Sequence, residues 1–299
     1  MNAIEIRNLS KSFRGMYAVD HLNMTVPQGA IYGFIGENGS GKSTTEKLIC
    51  GHLVPDGGEI KLFGRDYSDP GVRVRVGALI ENAGCFPSSS VYRNLRMQTI
   101  NPGLEDPDAE IRRVLEIVRM EEHANLKFKK CSLGMKQRIG IAMALLGDPA
   151  LLILDEPING LDADGMRIMR EVFTDIVRGG ERSIVVSSHL LGELQKVATH
   201  YGIIRHGKMI REMTAAELDE SCRTYVAIQT GEMNRTKMLL GCKYSRVEED
   251  EAGYIRVYDL TTPEEIVTYL FENGIPVTEI KTDKIGLEEY YMDLMKEGK

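Results

Sequence analysis

Gly36, Gly41, Lys42 and Ser43 fit the spacing G-x-x-x-x-G-K-[ST], a combination of residue types that holds the phosphates of a nucleoside triphosphate. Glycines let the backbone curl tightly and turn its N–H groups towards phosphate oxygens. Lys42 supplies a point charge for the outer phosphates, and the Ser43 hydroxyl suits Mg²⁺. Asn38, Gly39, Ser40 and Thr44 complete the candidate cradle, Gly36–Thr44. A second pair, Asp155-Glu156, ends the apolar run Ala150–Leu154. Adjacent carboxylates at the end of a buried strand suit a metal-and-water site, because ionised groups there are costly without a cation or hydrogen-bond donors. His189 follows the strand-like run Ser183–Ser187 and Ser188, which would set it on the ligand-binding edge of an α/β sheet. Phe13 and Tyr17 precede the loop, and either could stack on a base.

These groups need elements to hold them. Ile4–Ile6 and His21–Val26 alternate at period two and predict half-exposed antiparallel strands. Ile31–Ile35 predicts a buried strand entering the loop, with a helix starting near Ser43 whose positive dipole end faces the anion. Glu59–Phe63 and Val76–Ile80 predict further strands, the second of them buried. A short helix over Tyr92–Met97 and an amphipathic one over Asp108–Met120, opened by an Asp cap, make the next stretch mainly helical. Ser132 is a potential cap for a helix reaching Leu146. Helices over Ala163–Arg178 and Leu190–Thr199, then a hairpin over Tyr201–Arg205 and Lys208–Met213, close this part. Beyond it the pattern reads β-α-β-β-α-β: Thr224–Thr230, Met233–Leu240, Lys243–Val247, Gly253–Tyr258, Thr262–Asn273 and Ile275–Thr282, with a last helix over Gly286–Lys296. That order resembles the ferredoxin-like motif.

The net charge of −7 is uneven: residues 1–213 carry 27 basic and 26 acidic side chains, residues 214–299 carry 10 and 18. The shift predicts two domains, 1–213 and 214–299, with a helical subdomain over about 84–147 in the first. No basic stripe is present, which argues against nucleic acid as a partner. No apolar run reaches the roughly 18 residues of a membrane span, and the first residues lack the apolar core of a secretion signal. Cys50, Cys85, Cys131, Cys222 and Cys242 are scattered and show no CxxC spacing, so a disulfide framework or zinc site is not expected and a reducing compartment is.

With these pieces in order, residues 2–213 resemble the ATP-hydrolysing subunit of ABC transporters. Gly36–Ser43 corresponds to the family's Walker A motif and Leu151–Glu156 to Walker B with its following glutamate. Cys131–Arg138 corresponds to the signature, Asn159–Asp162 to the D-loop and His189 to the switch histidine, while Phe13 matches the adenine-stacking aromatic. The resemblance implies an ABC-type α/β nucleotide-binding domain with an antiparallel β subdomain, a helical subdomain and a small α+β accessory domain. It implies ATP and Mg²⁺ as cofactors, and a head-to-tail, nucleotide-dependent pair in which each ATP lies between Walker A of one copy and Ser132, Gly134 and Gln137 of the other, near Asp162. Ser43 and Asp155 would place the metal, Glu156 would polarise water, and His189 would steady the γ-phosphate. Integral-membrane permease subunits on separate chains would provide the path, with this subunit on the cytoplasmic face.

Departures narrow the resemblance. Glu81 stands at the position of the Q-loop glutamine, a replacement similar to the lantibiotic self-protection subgroup, which with the bacitracin-export ATPases also shares ALIE, SLGMKQRIGIAMALL and LLILDEP-x-NGLD. Glu81 would ligate or face the metal and tune coupling more than nucleotide affinity. Glu46 replaces a usually apolar residue, which puts local packing in doubt; Cys131 and Ile158 also depart from the pattern. The implied function is export of a peptide antibiotic, a lantibiotic first and a bacitracin-like or other amphipathic drug as the alternative. A soluble, non-transport ABC ATPase would need two cassettes or a coiled-coil insertion, and a GTPase switch would need the NKxD motif.

Overall fold

The structure is a computed structural model, and it describes residues 1–100, 104–189, 191–221, 224–250, 252–259 and 261–297. β1 (Asn2–Phe13) and β2 (Met16–Pro27) form a long antiparallel hairpin. Its two-residue turn puts Arg14 at φ 52° and Gly15 at φ 82°, a left-handed pair that suits the twist of the flanking strands. β3 (Ile31–Ile35) is buried at every position and leads through the glycine loop into α1 (Lys42–Ile49). β4 (Gly57–Leu62) and β5 (Arg65–Asp66) widen the hairpin into a four-stranded sheet of order β2-β1-β4-β5. α2 (Pro70–Arg73), β6 (Val76–Leu79), α3 (Val91–Gln98), α4 (Pro107–Ile117) and α5 (Leu133–Leu145) follow. Then come β7 (Leu151–Asp155), α6 (Ala163–Val177), β8 (Ser183–Ser188), α7 (Leu191–Leu194), β9 (His200–Arg205), β10 (Lys208–Thr214) and α8 (Ala215–Ser221).

The second sheet has order β10-β9-β3-β8-β7-β6, parallel except for β10. β3 therefore sits inside the sheet, and the C-terminal ends of β3, β7 and β8 lie side by side. That is where an open α/β sheet presents ligand-binding loops. Leu48 and Ile49 of α1 join one apolar core with Ile6, Leu22 and Met24 of the antiparallel sheet and Phe34, Ile153 and Val185 of the parallel one. This packing clamps the helix that carries the loop's lysine and serine. α5 approaches β6 so closely that a Cβ on Gly77 would lie 1.9 Å from the Ala144 carbonyl oxygen.

Contacts divide the chain into two compact units, Met1–Ala215 and Ala216–Lys299. The second contains β11 (Thr224–Thr230), α9 (Met233–Lys243), β12 (Val247–Glu249), β13 (Ile255–Val257), α10 (Pro263–Glu272), β14 (Val277–Lys284) and α11 (Leu287–Glu297). Its strands pair antiparallel in the order β12-β13-β11-β14, the ferredoxin-like arrangement. Val226 and Ile228 face a core with Leu240, Ile255, Ile266 and Leu270, while Tyr225 and Ala227 face a second cluster with Tyr258 and Ile285. Both faces of β11 are covered, which explains its unbroken apolar run.

Four expectations need correction. β6 is not a buried strand: it is the edge of its sheet, and Val76, Gly77 and Ala78 are only half-buried. α4 opens at Pro107 rather than Asp108, because Asp106 caps it by accepting from the Asp108 and Ala109 N–H groups and Pro107 fits the first helical position. The helix expected over 190–199 shrinks to α7, with Leu190 outside the described residues. The chain must turn there so that Thr199 N–H can donate to the Ile31 carbonyl at 2.8 Å and β9 can join β3. α9 runs on to Lys243, which leaves β12 only Val247–Glu249.

Candidate active site

Gly36–Ser40 link the buried end of β3 to α1, and space there is scarce. A Cβ on Gly36 would lie 2.5 Å from Ser40 Oγ and 2.6 Å from the Ile204 carbonyl oxygen. One on Gly41, at φ 110°, would lie 2.4 Å from the Ala18 carbonyl oxygen. Glycine is thus a steric requirement at both positions. Gly41 caps α1 without a side-chain acceptor and no acid occupies the first turn, so the helix N-terminus faces the loop with its positive end uncompensated. The buried Lys42 Nζ donates to the carbonyls of Gly36 at 2.7 Å and Glu37 at 3.2 Å. These bonds hold the ammonium over the loop.

β7 and β8 bring the acidic pair to the same place. Asp155 lies opposite Ser187 in the strand register, and Ser187 Oγ donates to Asp155 Oδ1 at 2.8 Å. The Glu156 N–H donates to the Ser187 carbonyl and to Ser187 Oγ, both at 3.2 Å. Glu156 adopts φ 49°, a left-handed conformation that costs a non-glycine residue free energy and marks a site where side-chain direction matters. Its Oε2 lies 2.9 Å from His189 Nδ1, and its buried Oε1 has no hydrogen-bond partner and stands 3.9 Å from Lys42 Nζ.

A cavity of about 220 Å³ collects Asn38, Gly39, Gly41, Lys42, Ser43 and Thr44 with Asp155 and Glu156, and Ala18 of β2 closes one side. Hard oxygen donors from Ser43 and Asp155, together with the orphaned Glu156 Oε1, fit Mg²⁺, which needs only one or two carboxylates when phosphates supply the rest. Among the described residues no group of three or more His, Cys, Asp and Glu could hold a metal, and a phosphate-completed Mg²⁺ site does not require one.

Other expected site residues lie elsewhere. Ser132 caps α5 by accepting from the Met135 N–H at 3.2 Å, and Asp162 caps α6 by accepting from the Gly165 N–H at 2.8 Å. With Gly134 and Gly160 they line a separate cavity of about 310 Å³, of which Gln137 is not a lining residue. Phe13 is half-exposed near the tip of the β1–β2 hairpin, with Lys11 Nζ 5.7 Å from its ring centroid, and it does not line the phosphate cavity. Glu81 is not brought to the Asp155–Glu156 pair in this structure. At φ 65° it turns its carboxylate to Lys47 Nζ at 2.6 Å and lines a third cavity, of about 370 Å³, with His52, Asn82, Gln98 and Met143. The Lys47 hydrogen bond holds the Glu81 carboxyl below its ordinary range. Sequence reasoning missed Ser187; its signal was the polar end of the otherwise apolar run Ile184–Val186.

Comparison with known proteins decides the family. The ABC transporter family profile matches residues 19–159. The chain is 36% identical over 300 residues to the bacitracin transport ATP-binding protein BcrA of Bacillus licheniformis, covering 99% of this chain and 98% of that one. It belongs to the ABC transporter ATP-binding family. A second ABC relative, the lantibiotic transport ATP-binding protein SrtF of Streptococcus pyogenes, is 37% identical over 209 residues, 70% of this chain and 90% of that one. Among solved ABC structures, cbiO1 of Clostridium perfringens, part of the transporter complex cbiONQ, aligns with TM-score 0.66 at 25% identity over 73% of this chain and 90% of that one. This ABC protein is therefore an ATPase built on the ABC nucleotide-binding fold. No helix among its described residues is long and apolar enough to cross a membrane.

Proposed function

We propose that the chain is the energy-supplying subunit of an exporter that removes a peptide antibiotic from the membrane. The observation that carries this reading is the 36% identity to the bacitracin transport protein, which runs across 99% of the chain and so through both compact units. The lantibiotic relative is matched over 70% of the chain. That difference in coverage favours a bacitracin-like peptide, and Glu81 favours a lantibiotic. Permease subunits on separate chains complete the transporter, with this subunit held peripherally at the cytoplasmic face.

In this account the loop amides and Lys42 bind the triphosphate, and Ser43 and Asp155 hold Mg²⁺, whose charge neutralises the phosphates. Glu156 orients the attacking water through Oε1, the oxygen without a partner. His189 engages Oε2 through Nδ1, which leaves Nε2 for the γ-phosphate. Two copies pair head to tail when ATP is bound: Ser132 and Gly134 line a cavity apart from their own phosphate loop, so a second copy is needed to bring loop and signature to one ATP. Phe13, half-exposed near the tip of the β1–β2 hairpin, stacks on the adenine. Residues 214–299 have a regulatory or dimer-supporting role.

Co-expression with cognate permease chains in a sensitive host tests the reading, with Glu156→Gln as the inactive control. Survival in bacitracin or a lantibiotic should rise with the native chain alone. Unchanged sensitivity to every peptide antibiotic in the panel would contradict it.

A further inference from the structure

Two leucines line the cavity beside Ser132 and carry no polar group that could meet a nucleotide. Leu133 opens α5 directly after its cap, Ser132, and Leu161 precedes Asp162, the cap of α6. Each leucine lies over a glycine of the other turn. A Cβ on Gly160 would stand 3.0 Å from Leu133 Cδ2, and one on Gly134 would stand 3.6 Å from Leu161 Cδ2. Carbon atoms prefer roughly 3.5–4.0 Å, so at Gly160 the leucine has taken the space a side chain would need. Gly160 also adopts φ 73°, a left-handed conformation that favours glycine. These reciprocal contacts fasten the turn before α6 to the turn before α5.

Leu133 is 48% exposed, so it adds little to the core of its own chain. What its contact does is hold polar groups in place. Ser132, Gly134 and Asp162 line the same cavity, and they sit on the two turns that the leucines join. Turns move more easily than strands, and a misplacement of about 1 Å at a reacting centre can cost a large part of the rate. We propose that Leu133 is a positioning residue for hydrolysis: seated on Gly160, it locks the two turns together, so that Ser132, Gly134 and Asp162 meet the ATP of a second copy as one unit. The inference rests on the head-to-tail pairing proposed above. Leu133 touches no phosphate in this role and acts through the turn it packs on.

In the full-length protein, Leu133→Ala should lower the ATPase kcat roughly tenfold or more, while ATP binding to the unpaired chain and the Tm stay near native. Leu133→Met, whose flexible side chain refills the space, should restore most of the rate. Gly160→Ala should also slow hydrolysis, and combined with Leu133→Ala it should lose less than the product of the two single losses, because both disturb one contact. A residue that acts on the other copy's ATP must complement in trans. Mixing Leu133→Ala with Lys42→Ala chains sets an intact phosphate loop opposite an intact Ser132 turn. At equal total protein the mixture should hydrolyse ATP faster than either variant alone. A chain weakened in its own fold, or at its own Glu156, is not recovered this way. A Leu133→Ala kcat within twofold of native, or a slow Leu133→Ala that Lys42→Ala fails to recover, would overturn the inference. Ser132→Ala mixed with Lys42→Ala separates the two readings. If that mixture recovers while Leu133→Ala fails either test, pairing stands and only the inference about Leu133 falls. If neither mixture recovers, the pairing reading fails and takes the inference with it.

Discussion

His189 Nδ1 lies 2.9 Å from Glu156 Oε2, and the two residues follow the C-terminal ends of neighbouring parallel strands. The strand pairing fixes their separation, and the φ of 49° at Glu156 fixes its direction. Removing the imidazole frees the carboxylate to rotate away from the water it orients. His189→Ala should lower the ATPase kcat about 100-fold and leave ATP binding within about threefold, as read by steady-state kinetics beside equilibrium binding. A parallel loss of affinity would show that His189 acts mainly on ground-state binding.

Ser187 is the hinge of the acidic pair, since its hydroxyl donates to Asp155 and accepts from the Glu156 N–H. Ser187→Ala leaves the volume nearly unchanged but deprives a partly buried carboxylate of a donor. The expected cost is about 1–3 kcal/mol of stability, measured by denaturant unfolding, with a higher Mg²⁺ requirement for hydrolysis. An unfolding midpoint and Mg²⁺ requirement both equal to the native protein's would show that the hydroxyl bridge is idle.

Lys47 and Glu81 join α1 to the loop after β6 at 2.6 Å, beside the largest of the three cavities. Because Glu81 faces Lys47 and not Asp155, its substitution should act on coupling and spare nucleotide binding. Glu81→Gln and Lys47→Met should each alter peptide-stimulated ATPase while basal ATP affinity holds, and the double variant should match a single one because both break the same contact. Unchanged stimulation and resistance in Glu81→Gln would remove Glu81 from coupling.

Much of this site was legible in the chain. Gly36, Gly41, Lys42 and Ser43 are set by spacing, and Asp155, Glu156 and His189 by their places just past strand ends. Strand ends are readable when an apolar run stops at a charge. Ser187 was not readable as a site residue, because its meaning depends on which residues face it across β7 and β8. Composition also hid the edge position of β6: an apolar run does not disclose whether one or two neighbours flank it. The Lys47–Glu81 pair spans 34 residues of sequence and exists only through packing.

Asp56 ties the start of β4 to β1: it accepts from Lys11 Nζ at 2.7 Å and from the Ser12 N–H and hydroxyl at 2.7 and 2.8 Å. The Lys11 hydrogen bond, then those from Ser12, lower its carboxyl to about 2 from an ordinary 3.8. A depressed acid stabilises the fold above its unfolded value and loses that contribution as pH falls towards 2. Asp56→Ala should therefore be less stable than the native protein at pH 7, with the gap closing as pH drops from about 4 to about 2. Thermal unfolding across that range checks it; a gap that stays constant with pH would refute it.

Glu156→Gln tests the central claim most directly, because it removes the charge that orients water and keeps the shape of the side chain. Measured on purified protein, ATP hydrolysis should fall at least about 100-fold, while ATP still binds and accumulates a dimer seen by size-exclusion chromatography with light scattering. A variant that hydrolyses ATP within twofold of the native rate would contradict the account.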